Sequence, residues 1–279
     1  MEVPDSWREA ANRIAGDRGV TIVLGASDTG KTTFVGYCLR AIGASGETVA
    51  VVDADIGQSS VGPPTTVGVA LFGSAVGCGD APWPAAEISF VGAVSPLGHL
   101  LELAAGTARM TGKARELGAA AVLVDTTGLV HGGAAQALKH AKLSVIRPEH
   151  IAVLGGDETI ERIIAPFASE SAVYRLEAHP SCRRRSVEQR AANRQALFRS
   201  YFCGAQEMSM DPARLFLSGD GTAPQLGRLM GLAGAGDRTL ALAVVTEACS
   251  DRIVVRTPLS AAERENVKGL QGSDFSPSF

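Results

Sequence analysis

The sequence predicts a three-layer α/β/α fold built on a mainly parallel sheet, followed by a small β-rich C-terminal module. Three observations predict it. Short apolar runs at 20–24, 48–52, 88–91, 120–124 and 151–154 alternate with helical stretches, the pattern of βαβ units in a sheet covered on both faces. Each run ends at polar residues, and in this architecture ligands bind outside the carboxyl ends of the strands. From about residue 206 the texture changes to a turn-rich segment around 215–221 and short strands at 239–246 and 252–256. The division implied is 1–205 for the first domain, with an arginine-rich segment at about 180–202, and 206–279 for the module. Residues 272–279 read as a loose tail.

Bulk properties narrow the function classes. A chain of 279 residues can bury a full core. No apolar run approaches the length of a membrane span, and the opening seven residues lack the basic start of a signal peptide, so a cytoplasmic protein with no membrane partner is expected. Five cysteines (Cys38, Cys78, Cys182, Cys203, Cys249) are scattered without C-x-x-C spacing, which argues against zinc and disulfide frameworks and reads as small buried side chains. A net charge of −3 gives no global attraction to nucleic acid, so any such binding requires a local concentration of arginine or lysine.

The first element to carry chemistry is the strand at 19–24 running into Gly25-Ala26-Ser27-Asp28-Thr29-Gly30-Lys31-Thr32-Thr33. This is a phosphate-binding P-loop between a strand and a helix, the latter expected at about 31–42, and it makes the fold a P-loop NTPase. Gly25 and Gly30 allow backbone angles that turn successive amides inward around a triphosphate, and the helix dipole adds to them. Lys31 is placed for the β- and γ-phosphates, and the Thr32 hydroxyl for magnesium. ATP with Mg²⁺ is the expected cofactor pair, GTP a possible substitute.

The second strand delivers Asp53-Ala54-Asp55-Ile56-Gly57-Gln58, where a P-loop enzyme keeps its metal-side acid. Asp53 and Asp55 are two apart, so in strand geometry they face one side and share a magnesium site with Thr32. A later strand delivers Asp125-Thr126-Thr127-Gly128-Leu129-Val130-His131-Gly132, which resembles the D-x-x-G switch of a GTPase. A nucleotide-dependent switch or scaffold bound to a protein partner is therefore a rival reading. Against it, no N-K-x-D segment follows to read guanine, and the P-loop lacks the early lysine of partitioning ATPases.

Between His179 and Phe202 stand six arginines, no lysine and one acidic residue. Arg190 and Arg194 are one helical turn apart, while Val187, Ala191, Phe198 and Phe202 form an apolar stripe that could dock the helix with its basic face over the phosphates. Arginine's planar fork chelates phosphoryl oxygens in pairs, and a positioned arginine can be worth about 10³–10⁵ in phosphoryl-transfer rate.

Taken in order, these motifs resemble the polynucleotide 5′-hydroxyl kinase family that includes the kinase subunit of the eukaryotic mRNA cleavage factor and the ribosomal-RNA-processing kinase. The resemblance spans about residues 20–202. It covers the P-loop, the Asp53 to Gln58 motif, the segment Gly92-Ala93-Val94-Ser95-Pro96-Leu97-Gly98-His99, a "clasp" from Asp125 to Gly132, and a lid whose Arg185, Arg190 and Arg194 are spaced five then four. It implies that Asp55 deprotonates the attacking 5′-hydroxyl, that Lys31 and Thr32 hold γ-phosphate and magnesium, and that the lid arginines stabilise the transferring group. Gln58, His99, Thr126, Thr127 and Gly128 are then expected to touch the acceptor, a single-stranded or end-exposed RNA or DNA.

Two departures stand out. The family's clasp carries a tryptophan where this chain has Leu129, and loss of a stacking platform forfeits roughly 1–3 kcal/mol per base. A kinase of a small-molecule hydroxyl is the corresponding alternative. About twenty residues precede the P-loop strand, which predicts a minimal prokaryotic-type member without the eukaryotic N-terminal domain.

Overall fold

The computed structural model describes residues 3–73, 81–179, 181–218, 223–273 and 275–277. Cys78, part of the turn-rich 215–221 segment, and residues 274, 278 and 279 of the tail lie outside them. In chain order the first layer system comprises α1 (Asp5–Asp17), β1 (Gly19–Gly25), α2 (Lys31–Gly43), β2 (Val49–Ala54), β3 (Thr66–Phe72), β4 (Glu87–Phe90), α3 (Leu100–Glu116), β5 (Ala121–Thr126), α4 (Gly133–Ile146), β6 (His150–Leu154), α5 (Glu158–Ile164) and β7 (Ala172–Leu176). Helix α6 (Val187–Tyr201) follows. Beyond it come β8 (Gln206–Met210), β9 (Phe216–Ser218), β10 (Leu229–Ala233), β11 (Thr239–Ala248), β12 (Ile253–Thr257), α7 (Ala261–Arg264) and β13 (Gly269–Gln271).

The first seven strands form one sheet in the order β4-β3-β2-β5-β1-β6-β7. Strands β2, β5, β1, β6 and β7 run parallel, and β3 pairs antiparallel with both β2 and β4. Alternate residues of each strand point to opposite faces, which makes the three layers. Val20, Ile22, Leu24, Val122 and Val124 meet α3, α4 and α5 on one face, whereas Val23, Val51 and Leu123 meet α1 and α2 on the other. Helix α1, which no expectation covered, buries Trp7, Ala10, Ala11 and Ile14 at helical spacing. Trp7 is fully buried, donates from Nε1 to the Glu177 carbonyl at 2.9 Å, and packs edge-on against Phe34 of α2.

The second sheet has the order β8-β12-β11-β10-β13-β9, antiparallel except for the β13–β9 pair. It joins the first where the Phe90 amide donates to Thr239 Oγ1 at 3.0 Å. The described residues of the tail are not loose. Gly272 N–H donates to the Ser218 carbonyl, Ser273 is buried with Oγ donating to the Leu229 carbonyl at 2.7 Å, and Phe275 stacks on Phe198 with ring centroids 5.8 Å apart. An aromatic anchor supplies the burial that a Ser/Pro-rich composition conceals.

Two further expectations need correction. Of the cysteines described only Cys38 is buried, while Cys203 and Cys249 are exposed. The apolar stripe of α6 docks only at its C-terminal end. Phe198 and Phe202 pack with Leu229 and Leu242 of the second sheet, but Val187 and Ala191 are exposed because that sheet reaches no farther along the helix. The start of α6 is instead fixed by a capping box between Ser186 and Gln189. Among the described residues no helix is long and apolar enough to cross a membrane.

Candidate functional site

The P-loop leaves β1 at the centre of the sheet, and three of its residues have the backbone it needs. Gly25 and Gly30 take φ of +155° and +96°, and Asp28 takes +61°. A Cβ on Gly25 would lie 2.6 Å from the Leu154 carbonyl oxygen, so only glycine fits there. Thr29 Oγ1 and Lys31 Nζ both donate to the Ala26 carbonyl, at 3.0 and 2.7 Å, so the lysine is folded back on its own loop.

Acids end two neighbouring strands level with each other. Asp53 of β2 pairs with Asp125 of β5, and Asp125 in turn with Val23 of β1. Strand β5 lies between β2 and β1, so Asp125 is the acid that meets the first turn of α2, and its Oδ2 accepts from the Thr32 hydroxyl at 2.5 Å. Its Oδ1 is buried without a hydrogen-bond partner. Burial pushes the Asp125 carboxyl above its ordinary range, while Lys31 and the Thr32 hydroxyl pull it back.

Asp53, by contrast, is turned into the protein. It is 2 % exposed, its Oδ2 accepts from Ser60 N–H, Ser60 Oγ and Val61 N–H, and its Oδ1 from Asp55 N–H. Burial and the neighbouring Asp125 and Asp55 carboxylates push it up to about 7, against the pull of those donors. The expected pairing of Asp53 with Asp55 on one metal is thus replaced: Asp53 shapes the 55–61 loop and Asp125 stands beside Thr32. Asp55 leaves strand geometry, its Oδ1 capping Gly57 and Gln58 N–H at 3.1 Å each, and its carboxylate lines the cleft.

That cleft has a volume of about 710 Å³. Ser27, Lys31, Thr32, Thr33 and Asp55 form its floor; Arg183, Arg184, Arg185 and Arg190 form its roof. Arg190 Nη2 reaches Asp28 Oδ2 at 2.5 Å, the Arg185 amide donates to the same oxygen at 3.2 Å, and Gln58 Nε2 donates to the Arg190 carbonyl at 3.1 Å. The roof is therefore tied to the floor at two points. Arg194, expected beside Arg190, does not line the cleft, whereas its neighbour Asn193 does. Arg183 and Arg184 were the missed pair; their place in the same run of arginines was the available signal.

The 126–132 loop sits against the P-loop. A Cβ on Gly128 would lie 2.5 Å from the backbone nitrogen and 2.6 Å from Cα of Ser27. Thr126 and Thr127 are buried rather than presented to the cleft. His99 is not in the cleft at all; it lies with Arg109 and Ser273 in a second hollow of about 380 Å³ at the seam between the sheets. His131 is 3.6 Å from Asp157.

Beneath this loop two lysines of α4 are each 1 % exposed. Lys139 Nζ donates to Thr126 Oγ1 at 2.9 Å and to the Thr127 carbonyl at 2.6 Å. Lys142 Nζ has no hydrogen-bond partner. Burial pushes its pKa down from 10.5 to about 7, opposed by Asp55, Asp53 and Asp125. A base shifted down on folding sheds a proton that the unfolded chain keeps, so its contribution to stability rises with pH between about 7 and 10.5. Lys142→Met is accordingly expected to raise stability by several kcal/mol below pH 7, with the difference from wild type shrinking to little by pH 10. Chemical denaturation of both proteins at pH 6, 8 and 10 measures it, and a pH-independent difference would contradict the assignment.

Residues 25–204 match the family described as the mRNA cleavage and polyadenylation factor CLP1 P-loop. The chain is 30% identical over 220 residues to the polyribonucleotide 5′-hydroxyl-kinase of Pyrococcus furiosus, covering 78% of this chain and 61% of that protein. It is 30% identical over 212 residues to the polyribonucleotide 5′-hydroxyl-kinase of Methanocaldococcus jannaschii, covering 72% and 55%. It thus spans 61% and 55% of the length of these two relatives. Among solved structures, Clp1p in a wild-type Clp1p–Pcf11p complex has a TM-score of 0.69 at 13% identity, covering 98% of this chain and 78% of that one. A second Clp1p–Pcf11p structure has a TM-score of 0.71, also at 13% identity, covering 99% and 81%. These two likenesses concern the fold.

Proposed function

The chain belongs to the mRNA cleavage and polyadenylation factor CLP1 P-loop family, and from that premise we propose that it is an ATP-dependent polynucleotide 5′-hydroxyl kinase. The acceptor is the 5′-hydroxyl end of RNA or DNA, and the named activity of the archaeal relatives favours RNA. The observation that carries this reading is the convergence of Lys31, Thr32, Asp55 and the Arg183–Arg185 and Arg190 guanidiniums on one cleft.

In the reaction the 5′-oxygen forms a bond to the γ-phosphorus as the bond to the bridging oxygen of ADP breaks. Asp55 takes the hydroxyl proton, its orientation held by the Gly57 and Gln58 amides. Lys31 exchanges the Ala26 carbonyl for phosphate oxygens. Arg190, released from Asp28, and Arg185 meet the charge on the transferring group, where positioning and charge stabilisation supply most of the acceleration.

Magnesium fits the corner beside Thr32. The unpartnered Asp125 Oδ1 and the Thr32 hydroxyl are hard oxygen donors, and Mg²⁺ is commonly held by one or two carboxylates together with phosphate oxygens and water. When bound it would neutralise charge on the β- and γ-phosphate oxygens.

Transfer of labelled γ-phosphate from ATP to matched 5′-hydroxyl RNA and DNA oligonucleotides tests the proposal. Wild type is expected to label the acceptor, and Lys31→Ala and Asp55→Asn to do so at least about 10²–10³-fold more slowly. The Asp55→Asn side chain keeps an oxygen for the Gly57 and Gln58 amides, so loss of folding is not expected. ATP binding by wild type without transfer to either acceptor would overturn the assignment.

A further inference from the structure

Lys139 is an amine placed where its charged form is costly, 1 % exposed on the sheet-facing side of α4 with burial pushing its pKa well below the ordinary lysine value, and nothing in the chemistry above uses it. Its contacts are specific. The Nζ group bridges Thr126 Oγ1 and the Thr127 carbonyl, and Thr126 Oγ1 itself donates to the Val23 carbonyl at 2.7 Å. One side chain therefore links α4, the end of β5 and, through Thr126, β1, the strand that feeds the P-loop. The next residue, Gly128, is the one with no room between it and Ser27. The peptide that Lys139 grips is thus the last fixed point before the loop crosses the nucleotide-binding turn.

We propose that Lys139 is the positioning residue of the 126–132 loop: from behind the sheet it fixes the Thr126–Thr127 peptide so that Gly128 stays seated on Ser27 and the loop keeps one shape toward the acceptor end. The proposal rests on the kinase reading for what the loop receives, but not for how the loop is held. An amine suits the task because the two oxygens belong to different groups and Nζ has separate N–H protons to direct at both, whether or not it carries its charge. An apolar side chain of the same length would leave the Thr127 carbonyl without that donor. Lys142 provides the internal comparison, since it shares the helix face and the burial but has no hydrogen bond to the loop.

Hydrogen exchange of the full-length protein tests this directly. In Lys139→Met the amides of residues 128–131 are expected to exchange at least tenfold faster than in wild type relative to the β1 and β6 amides; in Lys142→Met, whose stabilisation acts on the whole domain, the amides of 128–131 should exchange no faster than in wild type. In the kinase assay Lys139→Met should raise the KM for a 5′-hydroxyl oligonucleotide about tenfold or more while the affinity for ATP stays within about threefold, a split that general destabilisation would not produce. Unchanged exchange in Lys139→Met, or equal acceleration in Lys142→Met, would overturn the proposal. If Lys139→Met does not fold, Thr126→Val, which removes one of the two acceptors, must show the same local acceleration, and its absence is equally decisive. A wild-type protein that transfers nothing to 5′-hydroxyl ends would defeat the kinase reading and leave the exchange result to judge Lys139 alone.

Discussion

Asp125→Asn is expected to lower phosphoryl transfer by about 10²–10³-fold and to shift half-saturation by magnesium upward, while the protein still folds and still binds nucleotide. Asparagine keeps an oxygen for the Thr32 hydroxyl, so the first turn of α2 retains its contact. What disappears is the negative charge whose second oxygen has no protein partner. Asp53→Asn provides the contrast. Four donors converge on that carboxylate, three on Oδ2 and the Asp55 N–H on Oδ1, so an amide nitrogen in the Oδ1 position leaves that N–H without an acceptor, a cost of about 1–3 kcal/mol. It should therefore lower the melting temperature rather than raise the magnesium requirement. Single-turnover rates across a magnesium titration, beside thermal melts of both variants, separate the two roles. An Asp125→Asn enzyme within tenfold of wild type at every magnesium concentration would return the metal to another acid.

Gly128→Ala is expected to reduce kcat/KM by about 100-fold or more, the effect of displacing reacting groups by about 1 Å. The added methyl meets the backbone of Ser27, which unlike a flexible side chain cannot turn aside. The P-loop or the 126–132 loop must move, and the strain falls on ATP binding and transfer rather than on the core below. Calorimetric titration with ATP and the transfer assay, compared with an unchanged melting profile, measure this. Activity within threefold of wild type would mean that the two loops part company during turnover.

Much of the fold was legible because buried parallel strands advertise themselves. All five runs identified as strands are strands, and the P-loop helix begins at Lys31. Strand β3 escaped because its pairing is antiparallel and Gly68 interrupts an otherwise β-prone run; a Cβ there would strike the Val61 carbonyl oxygen at 2.5 Å. Edge strand β7, half exposed, gives no apolar run to read. Of the site residues expected, Lys31, Thr32, Asp55, Gln58 and Arg190 line the cleft, and so does Arg185, whose place came from the family's arginine spacing. The choice between Asp53 and Asp125 was not, because both end apolar strands and only the order β2-β5-β1 decides which one borders Thr32. His99 was placed by motif membership and Arg194 also by its helical spacing from Arg190, and neither says which way the side chain lies relative to the cleft. The lysines of α4 had a signal that went unused: Ala135, Leu138, Lys139, Lys142 and Ile146 share one helical face, and that face is the buried one.

Helix α6 is packed by apolar side chains at its C-terminal end only, its other end being held by exchangeable polar contacts. Phe198 and Phe202 are clamped against the second sheet and against Phe275, while the arginine end rests on Asp28 and Gln58. That makes the helix a lever with its fulcrum at Phe198 and Arg190 about 12 Å out along the arm, at ~1.5 Å per residue. A tilt of about 10° about the fulcrum carries the guanidinium roughly 2 Å, enough to exchange a carboxylate for a phosphoryl oxygen without disturbing the core. Phe275, which stacks on Phe198, thereby sets the stiffness of the pivot, so a change in the fulcrum's own packing, far along the chain from the P-loop, would be felt as a change in how readily the arm swings.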